Sequence, residues 1–383
     1  MPTIPCQRHL FEIPDDVAYF NCASNSPQLK ASTARLLEAA RAKSHPWKRT
    51  PASYFEDAEA IRERASDLFG GDRDGYAVVP SASYGLATAA RAVEPELQRG
   101  DSVLVIAEEF PSNVFAWRRT VRETGATLVT VALREDGDWT RSVLDRIDQR
   151  VKVVSISTCH WTNGALIHLG PIAQACRDLG AILVVDATQS LGAMPFPLAD
   201  VDPDFLVAAG YKWLLFPYGV SLFYASPRWR DARPLEETWQ ARGNARDFAR
   251  LVDYSDVYMP GARRFDVGEK CSALLPGAIA ALEQIRTWGI GNIAEALGGI
   301  NAQIAAHLAS LGFELPDVAA RCPHIVGAEL PGGDSAKILG ELKARNVYVS
   351  QRGASLRFAP HLHVNGEDIE RLHAALDHAA ARA

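Results

Sequence analysis

Seven short apolar runs lie between residues 76 and 224, and amphipathic stretches separate several of them. The runs are Tyr76–Val79, Ser102–Ile106, Thr127–Val131, Lys152–Ser157, Ala181–Asp186, Phe205–Ala208 and Val220–Tyr224. Helical spacing appears over residues 54–68 and over Tyr84–Val93, Ser112–Glu123 and Pro171–Leu179. Strands this apolar are buried on both faces, so the pattern predicts an α/β fold with a parallel or mixed sheet between helical layers. In such sheets ligands gather beyond the carboxyl ends of the strands. After about residue 260 the pattern changes. Helical stretches over Ala273–Thr287 and Asn292–Leu311 precede a smaller α+β unit, with strands over His324–Leu330, near Val347–Val349 and over Ser355–Phe358, and helices over Ser335–Arg345 and Glu367–His378. This predicts an N-terminal segment (1–15), a large domain (16–260) and a small C-terminal domain (261–383).

Composition narrows the function classes. Apolar residues make up 48% of the 383 and charged residues 22%, which suits a chain with a full core rather than a disordered one. A net charge of −6 gives no support to nucleic-acid binding. No apolar run approaches 18 residues, so no membrane span is expected. The six cysteines form no CxxC pair, and no metal site is expected. The first residues, MPTIPCQRHLFEIPDD, lack the basic start and apolar stretch of a secretory signal, which points to a cytoplasmic protein with reduced thiols. Arginine outnumbers lysine 32 to 8, so each lysine is worth locating.

Lys212 follows an apolar strand and a glycine in DFLVAAGYKWLLF. Burial there disfavours the ammonium and makes the amine a usable nucleophile, although a snorkelling side chain would satisfy the same pattern. The other seven lysines read as solvated. Asp186 ends the strand in AILVVDATQS, 26 residues earlier. It could cap a helix, bind a metal or act as an electrostatic partner. The following SLGAMPFPLADVDP does not open like a helix, and no histidine has ligand spacing to it. A carboxylate and a lysine at two strand ends suit pyridoxal phosphate, which needs an amine for its aldehyde and an anion beside its pyridine nitrogen.

On VVDATQS…AAGYKW, and on YFNCASNSP near the start, the chain resembles the class V aminotransferase family of fold-type I pyridoxal-phosphate enzymes. That family includes aminotransferases, cysteine desulfurases, selenocysteine lyases, kynureninases and an epimerase. The resemblance implies that Lys212 is the Schiff-base lysine, that Asp186 partners the pyridinium nitrogen and that Gln189 lies near the phenolic oxygen. It implies a phosphate cradle at Ser81, Ala82 and Ser83, helped by the Tyr211 hydroxyl. The bland alternative is an ordinary serine cap. Phe110, in AEEFPSN, stands at the ring-stacking position, where a core phenylalanine would look the same. An ungapped match puts His160 at the phenolic oxygen, and a gapped one points to Thr162 or Asn163. Arg357, in GASLRFAPH, matches the arginine that forks onto the substrate carboxylate. Substrate contacts are expected from loops near Asn21–Asn25, Trp161 and Trp239–Arg246. A homodimer with active sites at its interface is also implied.

Two departures matter. NVYVSQRGASLR carries no cysteine where desulfurases hold their nucleophile, so a persulfide mechanism is not expected. In RRFDVGEKCSALL, Glu269 follows Gly268 where many relatives have threonine, leaving Lys270 or Ser272 as substitutes toward a neighbouring subunit's phosphate. The expectation is an enzyme acting at the α-carbon of an amino acid, foremost an aminotransferase. A β-elimination lyase and an epimerase are the alternatives. A cofactor-binding protein without turnover fits poorly with Lys212, Asp186 and Arg357 together. A nucleotide-dependent oxidoreductase lacks its GxGxxG.

Overall fold

The computed structural model describes residues 4–382. Its strands are β1 (Ala18–Tyr19), β2 (Tyr76–Val79), β3 (Ser102–Ile106), β4 (Thr127–Val131), β5 (Val151–Ser157), β6 (Ile182–Asp186), β7 (Phe205–Ala209), β8 (Ser221–Ala225), β9 (Val326–Ala328), β10 (Val347–Tyr348), β11 (Ser350–Arg352) and β12 (Ser355–Phe358). Strands β2 to β8, the seven runs read from the sequence, form one sheet in the order β2-β8-β7-β6-β5-β3-β4. Neighbours from β7 to β4 pair in parallel, and only β8 runs against its neighbours β7 and β2. The expected α/β architecture with a mostly parallel sheet therefore holds.

Strand periodicity splits the core in two. Ile182, Val184, Phe205 and Val207 face one layer, and Leu183, Val185, Leu206 and Ala208 face the other. Helix Ala82–Val93 and Trp117 cover the first face. Helices Glu56–Phe69, Leu169–Leu179 and Leu275–Trp288 contribute to the second. Each buried valine or leucine contributes about 1.5–3 kcal/mol relative to exposure, an upper bound because the unfolded chain is not fully extended.

Beyond the sheet, β11, β12 and β9 form an antiparallel sheet in the order β11-β12-β9. Strand β9 is shorter than the expected His324–Leu330. Contacts cross the boundary drawn at residue 260 in both directions. Strand β1 pairs in parallel with β10, matching Ala18 to Val347, and Ala18 and Phe20 pack with Leu356, Phe358 and Leu372. Helix Leu275–Trp288 in turn packs on helices Lys30–Ala42 and Glu56–Phe69.

Strands β2, β3, β5, β6 and β7 all point the same way, so their carboxyl ends share one edge. Chain segments leaving that edge carry most of the candidate residues.

Candidate active site

A cavity of about 180 Å³ opens at this edge. Ser81, Ala82 and Ser83 border it after β2, Glu109 and Phe110 after β3, and Cys159 and Trp161 after β5. Asp186 and Gln189 border it after β6, and Tyr211 and Lys212 after β7.

Lys212 reaches the cavity because Gly210 precedes it at a tight crossing. A Cβ on Gly210 would meet the Val220 carbonyl oxygen at 2.2 Å and the Phe216 ring at 2.3 Å. Lys212 is 6% exposed, and burial pushes its ammonium down to about 8 against the opposing pull of Asp186. Asp186 is buried, and burial pushes its carboxyl up, offset by hydrogen bonds from Thr188, whose N–H donates to Oδ1 at 2.9 Å, and by the Lys212 charge. Asp186 thus closes a local turn, but no helix follows it.

Ser81 caps the helix Ala82–Val93, its Oγ accepting the Tyr84 N–H at 3.1 Å. The bland reading of a serine cap is therefore true of Ser81, while Ser83 Oγ lies 2.7 Å from Ser112 Oγ at the cavity rim. The first N–H groups of this helix point at the cavity end, where the helix dipole favours an anion. Phe110 is half-buried and meets Trp161 edge-on, with centroids 5.5 Å apart. Gln189 is clamped: its Oε1 accepts the Trp213 indole N–H at 2.9 Å, and its Nε2 donates to the Ala23 carbonyl at 3.1 Å. Tyr211 packs beside Tyr218, with centroids 4.4 Å apart.

Two expectations need correction, those of His160 and of a solvated Lys270. His160 does not border the cavity. It stacks on Trp139 with rings 7° from parallel, its Nδ1 lies 2.7 Å from Thr162 Oγ1, and its Nε2 faces the Ala107 carbonyl at 3.3 Å. Its neighbours Cys159 and Trp161 face the cavity instead, and neither Thr162 nor Asn163 does. Lys270 is not solvated: its side chain is 6% exposed and pairs with Asp266 at 3.0 Å, which also holds buried Arg62. Gly268 is fixed by its N–H to Glu236 at 2.8 Å, and Ser272 borders a different depression, with Tyr54 and Pro276.

Glu109 is the residue sequence reasoning missed, although it adjoins Phe110 in AEEFPSN. Glu108 before it takes φ 54°, a left-handed conformation that costs a non-glycine residue roughly 1 kcal/mol or more. That turn aims Glu109 inward, where its carboxylate accepts the N–H groups of Phe110 at 2.8 Å and Ser157 at 3.1 Å. Burial, then the nearby Asp186 charge, lifts it to about 7.

Arg357 lies just outside this lining. It is 1% exposed and donates to Ser350 Oγ at 3.2 Å, to Ser24 Oγ at 2.8 Å and to the Trp161 carbonyl. Burial and neighbouring Arg352 lower it to about 9. Cys159, Cys322 and His324 hold ligand atoms within 4.8 Å of one another beside the cavity.

The donor set fits pyridoxal phosphate. A buried carboxylate and a buried amine share the cavity with neither in an ion pair among the described residues, Ser157 Oγ is buried without a partner, and a helix N-terminus offers an anion site at the other end.

Comparison with known proteins agrees. The aminotransferase class-V profile matches residues 27–367. An uncharacterized aminotransferase, YcbU of Bacillus subtilis, is 26% identical over 339 residues, covering 86% of this chain and 84% of its own. A probable cysteine desulfurase of Streptomyces coelicolor is 25% identical, covering 80% and 73%. Among solved structures, the apo cysteine desulfurase of Thermococcus onnurineus superposes with a TM-score of 0.88 at 18% identity, over 100% of both chains. The cystine C–S lyase C-DES does so with 0.82 at 18% identity, over 94% of this chain and 97% of its own. A profile match across most of the length, on a fold with this cavity, means that the chain belongs to the aminotransferase class-V family of pyridoxal-phosphate enzymes.

Proposed function

We propose that the chain acts at the α-carbon of an amino-acid substrate and that its reaction is amino transfer. The observation that carries this is the pair Lys212 and Asp186, both buried at one cavity after neighbouring parallel strands. When bound, pyridoxal phosphate supplies an aldehyde for the amine and a ring that draws electrons from the α-carbon. Asp186, whose carboxyl burial pushes upward, would supply the negative charge that a pyridinium nitrogen needs and be held ionised by it. The N–H groups of Ala82 and Ser83, with the Ser83 and Tyr211 hydroxyls, would hold the phosphate. Phe110 would cover one face of the ring. Gln189, held by Trp213 and Ala23, keeps one Nε2–H for the phenolic oxygen. Burial pushes the Lys212 ammonium down to about 8, which suits an amine that would accept and return a proton at the α-carbon. Arg357 orients the substrate carboxylate, and Phe110 with Trp161 narrows the access of water.

Elimination at the β-carbon is the second reading; the relatives named cysteine desulfurases support the part of it that breaks a carbon–sulfur bond. It would proceed without a protein persulfide. The β11–β12 hairpin has no cysteine, and Cys159, which does border the cavity, has its thiol pushed well above its usual range by neighbouring Cys322 and by burial. Tyr218 borders the cavity yet is 73% exposed, which supports a homodimer that covers it.

Product analysis with a panel of amino acids, with and without an added keto acid, tests the assignment. Turnover that requires the keto acid marks amino transfer. Ammonia or sulfide released without it marks elimination and overturns the first reading.

A further inference from the structure

Strands β11 and β12 turn on Gly353 and Ala354, with Gly353 at φ 59°, a conformation side chains disfavour. The register sets Ser350 opposite Arg357 and Arg352 opposite Ser355. Residues directly opposite share a face, as do residues two apart on one strand, so both arginines project from the same side of the hairpin. They converge on one atom. Arg352 Nη2 donates to Ser24 Oγ at 2.9 Å, and Arg357 Nη2 donates to it at 2.8 Å. Arg352 also lies over the Trp161 ring, 5.5 Å from its centre, and Trp161 borders the Lys212 cavity. The fields of both guanidinium groups reach Lys212 and disfavour its ammonium.

Among the described residues, neither arginine has a carboxylate within ion-pair distance, and Arg352 Nε is buried without a partner. Two adjacent cations with no counter-charge are costly unless a ligand supplies the anion. One α-carboxylate compensates only one of them. Each guanidinium keeps N–H groups not used by Ser24, Ser350, Trp161 or Gln351.

We propose that Arg352 is a second acid-binding subsite beside Arg357, so that the substrate is an amino acid carrying a second carboxylate. Arg357 takes the α-carboxylate and Arg352 the distal one. This rests on the reading of Arg357 given under the proposed function. Two sources share the chemistry: short dicarboxylic amino acids, and longer ones whose second carboxylate sits at the far end of a linked chain.

The test is calorimetric titration of the full-length, cofactor-loaded protein with succinate, glutarate and adipate against propionate and butyrate. Dicarboxylates of matching span should bind at least tenfold more tightly than monocarboxylates, and the preferred length separates the two sources. Arg352→Gln should erase that preference while leaving monocarboxylate affinity within about twofold, and Arg352→Lys should restore part of it. Arg357→Gln should weaken both classes. Equal affinity for both classes in the unaltered protein overturns the proposal. So does a preference that survives Arg352→Gln, or an equal loss of monocarboxylate binding in both variants, which would put both arginines on one carboxylate. Thermal melts identify a variant that fails to fold, and Arg352→Lys then decides. The same titration on cofactor-free protein, beside a measurement of cofactor uptake, separates the two readings. Failure to take up pyridoxal phosphate counts against the function, while dicarboxylate preference reads the subsite alone.

Discussion

Lys212 holds its Nζ 5.3 Å from the centre of the Phe110 ring, inside a cavity that leaves the ammonium little water. An amine displaced to about 8 is a nucleophile at pH values where ordinary lysines, near 10.4, are almost wholly charged. The rate at which cofactor-free protein captures pyridoxal phosphate should rise with pH to a plateau with a midpoint near 8. Stopped-flow absorbance measures it. Lys212→Ala should leave no cofactor fixed by borohydride, as read by intact mass. A midpoint near 10, or label retained in the variant, assigns the chemistry to another amine.

Phe110 separates a stacking role from a core role by what its removal costs. A core phenylalanine truncated to alanine loses about 3–5 kcal/mol of stability. A half-buried stacking ring loses less stability but weakens the cofactor, and aromatic pairing of about 0.5–1.5 kcal/mol corresponds to roughly 2- to 10-fold in dissociation constant. Phe110→Ala should therefore melt close to the parent without cofactor and bind pyridoxal phosphate several-fold more weakly. A large loss of stability with unchanged cofactor affinity would return Phe110 to the core.

Glu109 gives the cofactor-free protein a pH-dependent stability. Its folded value, about 7, exceeds the ordinary 4.5, so between these values the folded state keeps a proton that the unfolded chain has released. Stability from this group is complete below about 4.5 and falls as pH rises through about 7, by up to about 3 kcal/mol. Asp186, also shifted upward, adds a slope of the same sign. Urea midpoints measured from pH 4.5 to 7.5 should decline, and Glu109→Gln should flatten the decline. Its absolute stability should drop as well, because an amide cannot accept both the Phe110 and Ser157 N–H groups. A slope unchanged in Glu109→Gln would mean the proton sits elsewhere.

Gly210→Ala tests how the backbone delivers Lys212. With the Val220 carbonyl 2.2 Å from the added carbon, the strand end must shift, at a cost of about 1–3 kcal/mol or more. A lower melting temperature should accompany loss of borohydride-fixed cofactor. Full cofactor uptake at parental stability would show that the crossing tolerates a Cβ and does not govern the placement of Lys212.

The seven sheet strands were legible because burial on both faces leaves runs of apolar residues, and Asp186 and Lys212 were legible because they break such runs at their ends. His160 was not. Beyond the end of β5 the chain turns, and a one-residue offset decides whether Cys159 and Trp161 or His160 face the cavity. Lys270 looked solvated because its local sequence is polar. Its burial comes from Asp266 and Arg62, the latter more than 200 positions away. Arg352 carried no signal as one of 32 arginines until the hairpin register placed it beside Arg357.

Ser24 and Arg357 meet across 333 positions of chain. At ribosomal speeds of about 5–20 residues per second, roughly 20–70 s separate their synthesis. During that interval Lys212 and Asp186 have already been made, but strand β1 waits for β10, and Ser24 has no guanidinium to receive. The residues proposed to hold the cofactor are thus made before Arg352 and Arg357, the residues proposed to select a substrate.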